Sequence, residues 1–301
     1  MPHMGPHGIK GAIMKDAPMK KFTSMGVGGE AAFLCCPANE ADLTRMVSWL
    51  RKKRLPLRFL GNGTNVIVAE GGLGMGVVRL TAMHGFRARR TSSGALVEAG
   101  GGASLKSVIG KCAVRGLSGL ESLFGIPGTI GGALKMNAGS FGASISDCLV
   151  SVRVMNEAGK TARVGRREIE FGYRTSSFSD GECILKGTFA LREADPGIIR
   201  AEMERVWKER LAKHPMDMPS AGSIFKNRNG EPCWRFIDRA GMRGFRIGNA
   251  AVSEKHPNFI VNLGGASAFE VKRLIETVKQ RVAEATGVAL EEEVELWGFH
   301  G

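Results

Sequence analysis

Residues 116–142 read GLSGLESLFGIPGTIGGALKMNAGSFG, and what this run becomes decides the fold. Glycines stand at 116, 119, 125, 128, 131, 132, 139 and 142, Pro127 is rigid between Ile126 and Gly128, and no charge falls between Glu121 and Lys135. Glycine costs conformational entropy in helix and strand alike, so the run is expected to be neither. Interleaved Leu117, Leu120, Leu123, Phe124, Ile126, Ile130, Leu134 and Met136 would bury it. A buried irregular segment must still pair its N–H and C=O groups, and a polar ligand laid against bare backbone does that. A glycine-rich loop between core layers has the same composition.

Outward from this run, the chain of 301 residues exceeds what one hydrophobic core usually serves, so two domains are expected. Composition is that of a globular protein without repeats. A formal net charge of +13 favours an anionic partner: nucleic acid, an anionic membrane surface, or a small molecule bearing phosphate or carboxylate. The basic clusters RKKR at 51–54 and RARR at 87–90 are short and lack interleaved aromatics, so they read as solvated faces and not as a nucleic-acid site. Cys35, Cys36, Cys112, Cys148, Cys183 and Cys233 show neither CxxC nor metal-ligand spacing. No metal site is expected, and the six read as buried thiols of a reducing compartment. Residues 1–20, rich in Gly, Pro and His, lack the apolar core of a secretory signal and read as a flexible leader. No apolar run approaches the ~18 residues of a membrane span.

The rest of the chain alternates short strands and helices. Asn39 should cap a helix over 40–54 whose Leu43, Met46, Val47 and Leu50 repeat at helical spacing. Strands are expected at 57–60, 66–70, 77–81 and 95–99, a helix over 104–115, and a hairpin from 148–155 to 161–164. A charged helix over 199–213 should begin or bridge to a second domain. Beyond it, the helix 268–286 places Phe269, Val271, Leu274, Ile275, Val278 and Val282 on one face and stops at Gly287. A last strand over 290–297 carries Glu291, Glu292, Glu293 and Glu295, a pattern that alone reads as a solvated edge.

Three glycine motifs invite a nucleotide reading. Gly61-Asn62-Gly63-Thr64-Asn65 follows a strand and could present N–H groups to phosphate oxygens, although Asn-Gly is equally a hairpin signal. Gly100-Gly101-Gly102 lies between strand and helix but fails the G-x-G-x-x-G spacing, because Ser104 and Leu105 occupy the last positions. Gly159-Lys160-Thr161 imitates the end of a P-loop, yet Val154 stands where the first glycine must be, which discards nucleotide hydrolysis.

Taken together, GNGTN at 61–65, the glycine run at 116–142, FGYRTS at 171–176, AGSIFKN at 221–227, AVSEKHPNFIVN at 251–262 and LEEEV at 290–294 resemble the UDP-N-acetylenolpyruvoylglucosamine reductase family, in its order, from Phe22 to Gly298. The resemblance implies an α+β protein. A vanillyl-alcohol-oxidase/PCMH-like FAD-binding domain would span 21–197, with subdomains of about 21–80 and 81–197, and a smaller substrate-binding domain would span 198–301. It implies a cytoplasmic bacterial monomer that reduces UDP-N-acetylglucosamine enolpyruvate to UDP-N-acetylmuramate for peptidoglycan, using noncovalent FAD and NADPH, with no nucleic-acid or membrane partner.

Residue by residue, the resemblance places the FAD pyrophosphate at Gly61, Asn62, Gly63, Thr64 and Asn65. The flavin is placed along Gly125, Ile126, Pro127, Gly128, Gly131, Gly132, Asn137, Ala138 and Gly139. Tyr173 and Arg174 would lie beside the enolpyruvyl group, Ser223 would donate the proton, and Glu293 would be the third catalytic residue beside Arg174 and Ser223. Lys213 and Asn227 would contact the nucleotide diphosphate, and Lys226 would assist nearby. The types suit the chemistry. Hydride addition to an enolpyruvyl carbon builds negative charge toward the carboxylate, which an arginine fork stabilises, and the product then needs one proton. Thr64 replaces the usual serine of the loop, and His214 stands where glutamine or leucine is commoner. Tyr173 is the chain's single tyrosine, which implies the shorter type without the tyrosine-bearing substrate loop.

Overall fold

The computed structural model describes residues 5–156, 158–228 and 230–299. The chain divides into two compact units. The first comprises residues up to Lys15, Phe33–Asn62 and Gly74–Glu209, and the second Asp16–Ala32, Gly63–Leu73 and Arg210 onward.

In the first unit, helix α1 (Glu40–Lys52) starts where Asn39 accepts a hydrogen bond from the Asp42 N–H, and it buries Leu43, Met46, Val47 and Leu50 as the periodicity predicts. It packs beside a four-stranded sheet in the order Ala12–Pro18, Glu30–Cys36, Leu73–Arg79, Leu57–Leu60, of which residues 12–15, 33–36, 74–79 and 57–60 belong to this unit. The strand Ala12–Pro18 falls inside the stretch read as a flexible leader, so that reading fails for these residues. The fully buried carboxylate of Asp42 explains the order. It accepts the backbone N–H groups of Lys10, Gly11 and Ala38 at 2.7–3.2 Å. Burial alone would raise its pKa, but these donors and Arg45 hold it below the usual carboxylate range.

The larger sheet of this unit is antiparallel, in the order Thr161–Gly165, Leu149–Met155, Cys183–Glu193, Gly94–Gly100, Phe86–Thr91. The expected hairpin at Asn156–Lys160 is present, with Asn156 N–H donating to Lys160 O. The edge strand Phe86–Thr91 contains RARR, whose Arg87, Arg89 and Arg90 are exposed. Charged side chains on an edge discourage pairing with a further chain. Helix α2 (Leu105–Val114), capped by Ser104, and helix α3 (Ile130–Lys135) cover this sheet, with Val97, Leu105, Ile109, Leu123, Ile130, Leu134 and Phe189 in the core.

Gly100–Gly102 are packing glycines. A Cβ at Gly101 would lie 1.9 Å from Ile184 O, and one at Gly102 1.7 Å from Leu80 O. Their N–H groups are taken by Leu185 O and Met83 O. The glycine run at 116–142 does contain a helix, the six residues of α3, contrary to the expectation that it holds none. Gly131 inside it donates its N–H to Gly101 O at 2.8 Å. Two backbones approach closely there, and that contact offsets the helical cost of glycine.

Helix α4 (Pro196–Lys213) carries the chain from the first unit into the second, the division falling between Glu209 and Arg210. The second unit holds a sheet in the order Ser220–Ser223, Phe259–Asn262, Ala250–Val252, Arg246–Ile247, helix α5 (Cys233–Arg239) and helix α6 (Ala268–Thr286). A reciprocal cap between Ser267 and Glu270 begins α6, and Gly287, at φ 71°, ends it. Val271, Leu274, Ile275, Val278 and Val282 are buried, but Phe269 is 65% exposed. It precedes Val271 by two residues, about 200° around the helix, and cannot share its face.

The expected boundaries do not describe these units. Met25, Val27 and Ile67 lie in the core of the second unit with Ile224, Phe225, Leu274 and Val294. The strand Val66–Val68 pairs in parallel with Glu295–Trp297. Two early segments therefore belong to the C-terminal core, a long-range pairing that composition does not signal. The strand expected over 290–297 is only Glu295–Trp297, preceded by a single bridge between Phe225 and Glu292.

Candidate active site

Within the first unit the glycine run meets the Tyr173–Arg174 turn. Phe171–Gly172 and Thr175–Ser176 form a two-rung hairpin, and Arg174 at its tip has φ 55°, a left-handed conformation that a bulky residue adopts only under constraint. Three hydrogen bonds supply that constraint. Arg174 Nη1 donates to Gly139 O at 3.1 Å, Asn137 Nδ2 to Gly172 O at 2.9 Å, and Ser176 Oγ to Lys135 O at 2.6 Å. The guanidinium carbon lies 5.2 Å from the Tyr173 ring centre, and Tyr173 is half exposed. A planar cation and a phenol are thus held on the rim of the glycine run.

The run itself fits a flat polar heterocycle. Asn137 sits at φ 41°, and its Oδ1 is buried without a hydrogen-bond partner. A buried acceptor left unpaired costs roughly 1–3 kcal/mol, which a ligand N–H would recover. Gly132 is exposed, and a Cβ there would meet only Thr129 Oγ1, at 3.6 Å. Gly125 and Gly128 have φ of 84° and 132°, which keeps this backbone bare. Isoalloxazine carries one imide N–H between two carbonyls, so an unused acceptor beside open amide backbone suits FAD. Gly61 lies against Thr129, where a Cβ would come within 2.4 Å of Oγ1. Gly61 and Asn62 belong to the first unit with the glycine run, whereas Gly63, Thr64 and Asn65 belong to the second. The loop is not a hairpin: strand Leu57–Leu60 pairs with Leu73–Arg79, and Val66–Val68 with Glu295–Trp297.

Within the second unit, Ser223 and Glu293 are drawn together by their backbones. Gly222, at φ 78°, lies at an irregularity in the pairing of Ser220–Ser223 with Phe259–Asn262. The chain then turns onto the acidic segment. Glu293 N–H donates to Ile224 O at 2.8 Å and Lys226 N–H to Glu291 O at 2.9 Å. Buried Asn258 holds Phe225 from the other side, Oδ1 accepting from its N–H and Nδ2 donating to its carbonyl. Lys226 Nζ pairs with Glu291 at 2.5 Å and Lys279 Nζ with Glu292 at 2.8 Å. Asn65 Nδ2 donates to Glu293 O at 3.0 Å, so this side chain serves the acidic segment. Asn227 Oδ1 accepts from Cys233 N–H, capping α5. Burial, and next the charge of Glu293, push the Cys233 thiol up to about 12, so it stays protonated near the carboxylate.

Lys213 ends α4, and its neighbour His214 stacks on Phe259, the cross-strand partner of Ser223, at 5.2 Å. His256 meets both rings edge-on. Burial lowers the pKa of each histidine to about 4, helped for His214 by His256, Arg210, Lys213 and Lys255 and opposed for His256 by a backbone hydrogen bond. The native state therefore favours neutral rings. Their stabilisation is complete above an unfolded pKa near 6.5 and is lost as pH falls from there through about 4. Thermal melting across that window should show a falling midpoint in the wild type and a shallower fall in His256→Phe; equal slopes would contradict the assignment. Sequence reading named Asn65 and Asn137 for the cofactor but passed over their bonds to Glu293 and Gly172, and it passed over His256. Only Asn137 carried a signal, since asparagine before Ala-Gly readily takes positive φ.

Among the described residues, no group of three or more His, Cys, Asp or Glu could hold a metal ion, and no helix is long and apolar enough to cross a membrane. The six cysteines are free thiols. Residues 31–165 match a family model described as FAD binding domain, and residues 214–297 one described as UDP-N-acetylenolpyruvoylglucosamine reductase, C-terminal domain. The chain is 41% identical to UDP-N-acetylenolpyruvoylglucosamine reductase of Syntrophus aciditrophicus, over 97% of this chain and 94% of the relative. It is 38% identical to the enzyme of that name from Streptococcus suis, over 95% and 94%. A crystal structure of UDP-N-acetylenolpyruvylglucosamine reductase from Thermus caldophilus superposes with TM-score 0.80 at 34% identity, covering 96% of this chain and 99% of that one.

Proposed function

The chain belongs to the UDP-N-acetylenolpyruvoylglucosamine reductase family, and on that premise we propose that it uses NADPH to reduce UDP-N-acetylglucosamine enolpyruvate to UDP-N-acetylmuramate, a step of peptidoglycan synthesis. FAD is its cofactor; when bound it would supply two-electron hydride-transfer chemistry between a reduced nicotinamide and the alkene of the sugar nucleotide. The reading carries with it a monomeric enzyme of the bacterial cytoplasm.

The remaining chemistry falls to side chains of this protein. Gly125, Ile126, Pro127, Gly128, Gly132, Ala138 and Gly139 offer backbone to the flavin, Asn137 offers Oδ1, and Gly61–Thr64 serve the pyrophosphate, whereas the Gly131 N–H is spent on Gly101 O. Arg174, already fixed to Gly139 O, pairs with the substrate carboxylate and opposes the charge that develops next to it. Tyr173 packs beside the enolpyruvyl group. Ser223 delivers its hydroxyl proton to the adjacent carbon, and Glu293 supports that transfer, as acid or as hydrogen-bond acceptor. Lys213 and Asn227 face the nucleotide diphosphate, which a protein of net charge +13 also attracts at long range, and Lys226 stands near Ser223 to assist the transfer.

The observation that carries this reading is the lacing of Ser223–Lys226 onto Glu291–Glu293, which sets a hydroxyl and a carboxylate on adjoining backbone in the second unit. The test is steady-state kinetics with both substrates varied. Alternate entry of NADPH and sugar nucleotide predicts parallel double-reciprocal lines. Intersecting lines would refute two separate half-reactions.

A further inference from the structure

We propose that Asn65 is a positioning residue for Glu293. It lies in the glycine loop whose residue types suggest phosphate binding, yet its polar atoms turn to the acidic segment: Nδ2 donates to Glu293 O at 3.0 Å and the main-chain O accepts from Glu295 N–H at 2.9 Å. Glu293 N–H in turn donates to Ile224 O at 2.8 Å. The Glu293 main chain is therefore fastened at its N–H by the residue after Ser223 and at its carbonyl by Asn65. The parallel pairing of Val66–Val68 with Glu295–Trp297 continues the same attachment immediately beyond. The neighbouring carboxylates Glu291 and Glu292 are taken by Lys226 and Lys279.

Asparagine suits this task because it donates an N–H to a carbonyl while its own peptide stays in the ladder. Aspartate has the same shape but sets an oxygen against the Glu293 carbonyl, and alanine removes the donor. A neutral hydrogen bond is worth little in stability, but displacing a reacting group by about an ångström slows a step ~10²-fold.

The inference rests on the reading of Glu293 as catalytic, and the experiment separates the two. Anaerobic half-reactions of the FAD-loaded full-length enzyme are followed for Asn65→Ala, Asn65→Asp, Glu293→Gln and Asn65→Ala/Glu293→Gln, with flavin fluorescence reporting FAD retention and thermal melting reporting the fold. Asn65→Ala should retain FAD, reduce with NADPH within about twofold of wild type, and reoxidise with the enolpyruvyl nucleotide ~10–10²-fold more slowly. Asn65→Asp should be at least as slow as Asn65→Ala. The double variant should be no slower than Glu293→Gln alone, a non-additivity that general loosening does not produce. If Glu293→Gln reoxidises at the wild-type rate, the catalytic reading of Glu293 falls and the inference with it. If Glu293→Gln is slow and Asn65→Ala is not, the positioning role alone is overturned; loss of FAD from Asn65→Ala would instead return this residue to the cofactor.

Discussion

Ser223→Ala should slow reoxidation of the reduced enzyme by UDP-N-acetylglucosamine enolpyruvate ~10²–10⁴-fold, the range that a positioned proton donor supplies, and leave reduction by NADPH unchanged. The substitution removes one hydroxyl. The backbone bonds that align this segment, from Glu293 to Ile224 O, from Lys226 to Glu291 O and from Ile224 N–H to Asn258 O, do not involve it. Gly222 keeps its φ of 78°, so the strand irregularity before Ser223 survives. Stopped-flow absorbance of the flavin measures both half-reactions on one sample. A loss of equal size in both would mean that the variant disturbs the enzyme generally and that Ser223 is not the donor.

The largest effect on stability is expected at Gly102. A Cβ there would lie 1.7 Å from Leu80 O and 2.5 Å from its carbon, both backbone atoms that no rotamer change can move. Gly102→Ala must separate the strand Gly94–Gly100 and its following turn from the segment after Leu80. Overpacking costs 1–3 kcal/mol where side chains can give, and a backbone clash should cost about 4 kcal/mol or more. Against a typical total of about 5–15 kcal/mol, that removes from roughly a quarter to most of the stability and lowers the unfolding midpoint accordingly. Gly110 is the internal contrast. It lies in α2 with nothing within 4 Å of a Cβ, so Gly110→Ala should stabilise by about 0.5–1 kcal/mol through helix propensity. Urea denaturation distinguishes the two, and a Gly102→Ala variant as stable as wild type would show that the Leu80–Gly102 approach is not a constraint.

Gly102 also illustrates what could be read in advance. Gly100–Gly102 were recognisable as a failed dinucleotide fingerprint, but their use, letting one backbone lie on Leu80, Met83 and Ile184, depends on residues far away in sequence. Helices α1, α2 and α6 were legible because cap and apolar period agree within each segment. The strand Phe86–Thr91 was not, since its apolar face is only Phe86 and Ala88 before Arg90 breaks the alternation. The same distinction holds for the site. Tyr173, Arg174, Ser223 and Glu293 were carried by family motifs. The hydrogen bonds that fix them, from Arg174 to Gly139, from Asn137 to Gly172 and from Asn65 to Glu293, join residues 35 to 228 positions apart, and local pattern is blind to them. Composition misled at the N-terminus, where Gly, Pro and His suggested disorder and the buried Asp42 instead fixes Lys10 and Gly11.

The most direct test of the whole account is an anaerobic single turnover of the purified protein. One equivalent of NADPH should bleach the flavin absorbance, and one equivalent of UDP-N-acetylglucosamine enolpyruvate should then restore it fully while forming one equivalent of UDP-N-acetylmuramate. A preparation without flavin, or a reduced flavin that the enolpyruvyl nucleotide leaves bleached, would contradict it.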